Sequence, residues 1–158
     1  MPLFILNICF AAVFTLLTGS GRISVFLFGC VLGYGILWLS SPLYTDTRYF
    51  KKLPRTLSLI TYFLKELFVS NLRVLWDVIT PRHISRPGII GVPLDARTDL
   101  EIFLVANLIS LTPGTLSVDL SEDRKTLFVH VMFLEDPAAA RAEIKNGLEK
   151  KVLEVMRS

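Results

Sequence analysis

Charge is almost missing from the first 47 residues of this 158-residue chain, which carry only Arg22 and Asp46. Cysteine is scarce as well. Cys9 and Cys30 stand alone, which excludes a disulfide-stapled scaffold. The two histidines, His83 and His130, have no neighbours at a metal-ligand spacing, so neither a metal nor a cofactor is expected. No Lys or Arg precedes the first apolar run, whereas a secretory signal peptide has a basic amino-terminal region. Asp, Glu, Lys and His are absent from both long apolar runs. Such residues mark ion and proton pathways through membranes, so these runs carry no ion by themselves.

What is present divides sharply along the chain. Hydrophobic residues make up 52% and charged residues 20%, with a mean hydropathy of +0.54. That combination suits neither one water-soluble globule nor an all-membrane protein. Residues 48–86 hold eight basic residues against Glu66 and Asp77, a net of +6, and residues 87–158 hold a net of −3. The overall +3 is therefore a cancellation and identifies no partner.

Residues 1–42 read as a two-span membrane hairpin. Leu3 to Thr18 and Ile23 to Leu39 are uncharged runs of sixteen and seventeen residues, separated by Gly19-Ser20-Gly21-Arg22. A spanning helix needs about 20 apolar residues, with a lower limit near 17, and weakly polar flanks extend both runs. Arg48, Lys51, Lys52 and Arg55 follow the second run, so the positive-inside rule predicts a multi-pass protein of the cell membrane with a cytoplasmic carboxy-terminal side. The same cluster can meet anionic head groups. Gly29 and Gly33 form a GxxxG, which lets another helix approach closely in lipid.

Residues 43–87 read as a basic juxtamembrane segment and an amphipathic helix. Thr56 to Thr80 is one helix stopped by Pro81. At 100° per residue Lys65, Glu66, Arg73 and Asp77 fall within an arc of roughly 120°, with Arg73 and Asp77 spaced to pair. These four are the interface candidates. Four charges predict a helix lying at the cytoplasmic interface or across other membrane helices; the rival is a third span with its charged stripe against partner subunits. Nearness to the bilayer argues against nucleic acid as a partner.

Residues 88–158 read as a small α/β module with the order β-α-β-β-α. Ile89 to Leu94 predicts a strand. Thr98 and Glu101 form a capping box that opens a helix over Asp99 to Ile109. Thr115 to Leu120 and Leu127 to Phe133 alternate as paired strands. Setting Leu120 opposite Leu127 places Val118 against Val129 and Leu116 against Val131 on one apolar face, and Ser117 against His130 on the other. Asp136-Pro137 predicts the start of a last helix running to about Arg157. The whole is a membrane α-helical hairpin plus an amphipathic helix, followed by a small α+β cytoplasmic domain with helices on one face of its sheet.

Ser117, His130 and Asp119 are triad residue types, but Ser and Asp share a strand and nothing supplies an oxyanion hole, so a surface hydrogen-bonding trio is expected and not an enzyme. Leu111-Thr112-Pro113-Gly114-Thr115 lacks the glycine pair and lysine of a phosphate loop. It reads as a sharp helix stop, with Pro113 ending the helix, Gly114 free to take positive φ and the Thr hydroxyls bonding open carbonyls. Asn107 is positioned to tie down that turn.

The stretch Ala106-Asn-Leu-Ile-Ser-Leu-Thr-Pro-Gly-Thr-Leu-Ser-Val-Asp119, with Val129-His130-Val131 after it, resembles the signature of the E-type subunits of the multisubunit sodium/proton antiporters (the Mrp or Mnh type). The resemblance spans the chain, from the hairpin through Lys65-Glu66 and Asn71 to the helix containing Leu148-Glu149-Lys150. It implies an accessory, non-catalytic subunit that supports assembly of a monovalent cation/proton antiporter. Its partners would be the other subunits of that hetero-oligomer and the lipid bilayer, with ion paths in larger subunits. It supplies no catalytic residues. Two alternatives stay open: a direct share in an ion path through charged residues, and a stand-alone membrane-tethered binding module.

Overall fold

The computed structural model describes residues 2–43, 48–81 and 84–157; His83, Arg82 and the 44–47 segment lie outside the described residues. The chain divides into two compact units, Met1–Pro54 and Arg55–Ser158.

The first unit is a helical hairpin. Helix α1 spans Pro2–Leu17 and α2 spans Ile23–Leu39. Gly19, at φ +65°, carries the turn after α1 in the left-handed region that glycine enters without strain. The inward stripe runs at a spacing of four on both helices: Leu3, Asn7 and Ala11 on α1, Gly29, Gly33 and Leu37 on α2 are all buried. The outward surface is apolar, with Ile5, Leu16, Leu17, Ile23 and Val31 exposed. Helices of 16 and 17 residues are about 24 and 26 Å long at 1.5 Å per residue. Among the described residues no helix is long and apolar enough to cross a membrane.

Helix α3 spans Arg48–Ile79 and contains Pro54. It begins earlier than the Thr56 expected from the sequence. Pro54 sits in the second turn, past the first turn where proline is tolerated without cost, so the helix there forgoes one bond to the Phe50 carbonyl.

The second unit joins α3 from Arg55 onward to an α/β module. Strands β1 (Gly88–Pro93), β2 (Thr115–Leu120) and β3 (Thr126–Val131) form an antiparallel sheet in the order β1-β3-β2. Helix α4 (Asp99–Leu111) opens on the capping box, with both reciprocal Thr98–Glu101 bonds present. The carboxy-terminal helix starts at α5 (Pro137–Ile144), where Asp136 accepts from the Ala138 N–H. It continues through a π-helical segment (Lys145–Glu149) and ends as α6 (Lys150–Met156). Ile90, Val92, Val105, Ile109, Leu127, Val129, Val131, Leu148 and Val152 form the core.

The sheet corrects one expected register. Leu120 pairs with Leu127, but a bulge between Ser117 and Asp119 shifts the rest, so Leu116 meets His130 and Ser117 meets Val129. Leu116 and Val118 consequently point outward and are exposed. Thr115 and Ser117 turn toward α4, where the Ser117 hydroxyl donates to the Ala106 carbonyl at 2.9 Å. A small hydroxyl residue there lets α4 approach the strand and fills a carbonyl acceptor, which a leucine could not do. Ser117 and His130 therefore do not meet, and the expected surface trio is not assembled.

Candidate functional site

The residues singled out from sequence gather at two places. In the first unit, a Cβ on Gly29 would lie 3.0 Å from the Ala11 Cα, and one on Gly33 would collide with the Asn7 amide oxygen. The two glycines thus face α1 and set how closely the helices pack. Asn7 donates from Nδ2 to the Tyr49 hydroxyl at 2.8 Å, and Tyr49 in turn packs edge-on against Tyr34 and Phe50. Asn7 Oδ1 has no hydrogen-bond donor among the described residues, and it fills the space where a Cβ on Gly33 would stand.

The second place is a cavity of about 120 Å³ in the second unit. Its walls are Tyr62, Glu66, Ser70 and Arg73 of α3, the turn residues Thr112, Pro113, Gly114 and Thr115, and Phe133, Glu143 and Leu148. Two of the four charged candidates, Glu66 and Arg73, therefore share one cavity with the turn residues 112–115, whereas Lys65, Asp77 and Asn107 do not line it. The α3 stripe reaches the module at several heights. Arg55 donates to the Glu154 carbonyl at 3.2 Å, and Lys151 donates to the Ser58 hydroxyl at 2.8 Å and lies over the Tyr62 ring. Arg73 places its guanidinium 5.9 Å from the Phe133 ring centre. Lys65, largely exposed, is 3.9 Å from the Glu66 carboxylate.

Asp77 is buried, and its Oδ1 accepts from the Ile84 and Ser85 N–H groups at 2.6 and 3.0 Å. This carboxylate shapes the chain that leaves α3. The turn is held by its own hydroxyls. Thr112 donates to the Leu108 carbonyl at 3.0 Å, and Thr115 donates to Ile109 at 2.6 Å and to Thr112 at 3.0 Å. Gly114 takes φ +89° while its carbonyl accepts from Met132 at 2.7 Å. Asn107 does not join this turn. It is exposed and donates back to Phe103, four residues earlier, at 2.8 Å.

Two buried carboxylates went unnoticed in the sequence as partners of distant groups. Glu149 Oε1 accepts from the Asp95 and Ala96 N–H groups at 2.6 and 3.0 Å. Glu101 receives the Arg97 and Thr98 N–H groups and the Arg157 guanidinium. The Arg157 hydrogen bonds, followed by the Arg97 N–H, hold the Glu101 carboxyl down at about 2. Only the capping role was signalled locally, by the Thr98/Glu101 spacing. Among the described residues no group of three or more His, Cys, Asp or Glu could hold a metal ion.

The family model described as a Na+/H+ ion antiporter subunit matches residues 7–155. The E-type Na(+)/H(+) antiporter subunit of Bacillus subtilis (strain 168) is 35% identical over 153 residues, covering 97% of each chain. The E1-type subunit of Staphylococcus haemolyticus (strain JCSC1435) is 36% identical over 96% of this chain and 95% of its own. A chain from the Mrp complex of Dietzia sp. DQ12-45-1b is similar at 27% identity and a TM-score of 0.51, covering 66% of this chain and 97% of that one. A chain of an archaeal membrane-bound sulfane sulfur reductase shares the fold, with a TM-score of 0.56 at 21% identity over 95% of this chain and 96% of that one. With the family model matched along nearly its whole length, this chain belongs to the family of E-type Na+/H+ antiporter subunits.

Proposed function

We propose that the chain is a non-catalytic accessory subunit of a multisubunit monovalent cation/proton antiporter, supporting assembly and stability of the complex in the cell membrane through contacts with its other subunits. In this reading the α1–α2 hairpin is embedded in lipid and the module after α3 is cytoplasmic. Helices of about 24 and 26 Å fall short of a hydrocarbon core of about 30 Å, a mismatch that local bilayer thinning and the flanking residues absorb. The exposed apolar surface of the hairpin supports the same placement.

The observation that carries the accessory role is Asp77. A carboxylate that relays ions or protons must change partners, whereas Asp77 is buried and its Oδ1 accepts two backbone N–H groups of its own chain. Deleting the chain should lower the amount of intact complex several-fold, with antiport falling in parallel. An undiminished complex after deletion overturns the proposal.

One observation favours a second reading, a direct share in an ion path: Glu66 and Glu143 line the same cavity. Antiport per assembled complex separates the two. A Glu66→Gln variant should retain it under the accessory role and lose it if Glu66 lines a path.

A further inference from the structure

Helix α3 turns its polar stripe inward and its apolar face outward. From Arg55 to Asp77 the stripe is engaged along about six turns of helix: Arg55 at Glu154, Ser58 at Lys151, Tyr62 beside Gly147, Arg73 over Phe133 and Asp77 at Ile84 and Ser85. The opposite face presents Leu57, Ile60, Leu64, Phe68, Leu72 and Leu75, all exposed; Thr61 and Asn71 are the polar residues in the same arc, Asn71 donating to the Leu67 carbonyl of its own helix, and no charged residue lies among them. Lys65 and Trp76, also exposed, stand together along one border of that face, about 80° and 100° from Leu57 at 100° per residue.

We infer that this face of α3 lies in the boundary between phospholipid head groups and acyl chains, with the helix axis along the membrane surface. The inference rests on the membrane-complex reading above. A spanning α3 would carry into hydrocarbon the module bonded along its length, including exposed Asp95, Asp99 and Lys150, and buried charge in lipid is costly. An axis parallel to the surface instead lets the uncharged face enter the bilayer while the module stays in water. Border Lys and Trp side chains are suited to that depth, with apolar stems or rings inward and polar ends toward water. In sequence α3 also follows the hairpin closely, with eight residues between Leu39, which ends α2, and Arg48.

Two measurements test it. Phe68→p-benzoylphenylalanine, and Leu64→p-benzoylphenylalanine as a second site, are placed in the assembled antiporter in native membranes and illuminated. Phospholipid adducts are expected; cross-links to a neighbouring protein of the complex overturn the inference and give the face a protein partner. For depth, Trp38→Phe leaves Trp76 as the only tryptophan, and the full chain is reconstituted in phosphatidylcholine/phosphatidylglycerol vesicles. Bromine near the head group should quench Trp76 about twofold more than bromine near the chain end. Stronger quenching by the deep bromine, or negligible quenching by both, overturns the inference. Loss of complex on deleting the chain is read separately, so the accessory role can stand when the lipid placement fails.

Discussion

Arg157 grips Glu101 through two hydrogen bonds, Nε to Oε1 at 2.9 Å and Nη2 to Oε2 at 3.1 Å, and so joins the end of the carboxy-terminal helix to the first turn of α4. The same guanidinium donates to the Asp95 carbonyl at 2.9 Å, while Glu149 receives the Asp95 and Ala96 N–H groups from the other side. The β1–α4 connection is thus held between two buried carboxylates. A small module whose core rests on about nine buried apolar side chains gains rigidity from such polar closure, because each buried group that lost its partner would cost stability.

Glu101→Gln should destabilise the full chain at pH 7 by about 1 to 2 kcal/mol, since charge-assisted bonds are replaced by neutral ones. The Glu101 carboxyl is held at about 2, below its ordinary 4.5. Its contribution is therefore complete above about pH 4.5 and disappears as the pH falls toward 2. Denaturant melts of the purified protein in detergent, followed by circular dichroism, should show the difference between wild type and variant shrinking across that window. A difference that stays constant from pH 7 to pH 3 contradicts the assignment.

At Gly33 the space is already taken by the Asn7 amide, whereas Gly35 has nothing within 4 Å of where a Cβ would stand. Gly33→Ala should loosen the hairpin and lower thermal stability in detergent, while Gly35→Ala should leave it unchanged. Asn7→Ala in the Gly33→Ala background should recover part of the loss, because it removes the colliding oxygen. Equal effects at both glycines would falsify the packing argument.

How much of this was legible in the sequence depended on how local each cause is. The capping box at Thr98 and Glu101 is written within four residues and could be read directly. So could the helix stop at Pro113-Gly114 and the pairing of Leu120 with Leu127 beside its turn. The bulge at Val118 was not legible, because it answers to α4: Ser117 turns inward to reach the Ala106 carbonyl, and alternation along β2 gives no sign of it. Periodicity marked the polar stripe of α3 but not which way it faces, since either side of an amphipathic helix can be the covered one. Lys151, which interrupts a stripe of Ile144, Leu148, Val152 and Val155 at helical spacing on the last helix, makes sense only with Ser58 and Tyr62 in view. Asn107 looked like a brace for the turn, yet the two threonines bond the open carbonyls themselves.

Those threonines give a third expectation. Thr115→Val keeps the shape and β propensity of the side chain but removes its bonds to the Ile109 and Thr112 carbonyls, which should cost about 1 to 2 kcal/mol. Gly114→Ala meets nothing nearer than 3.5 Å, so its penalty should come from φ +89° alone, on the order of 1 kcal/mol. Thermal melts of the two variants measure both, and a neutral Gly114→Ala would contradict the observed backbone conformation.

Helix α3 and the carboxy-terminal helix fit closely at Gly147, in the π-helical segment, where a Cβ would run into the Tyr62 hydroxyl and lie 3.0 Å from the ring carbon bearing it. The π turn brings Leu148 and Glu149 inward together, and Gly147 beside them faces Tyr62 of α3. Gly147→Ala should force Tyr62 aside, costing about 1 to 3 kcal/mol and weakening the attachment of α3 to the module. Tyr62→Phe removes the colliding oxygen but leaves the ring, so the Tyr62→Phe/Gly147→Ala pair should be more stable than Gly147→Ala alone without regaining the wild-type value. Melting temperature tests the packing, and the rate at which a protease cuts between α3 and β1 tests the attachment. If Tyr62→Phe gives no relief in the Gly147→Ala background, the hydroxyl is not what requires a glycine there.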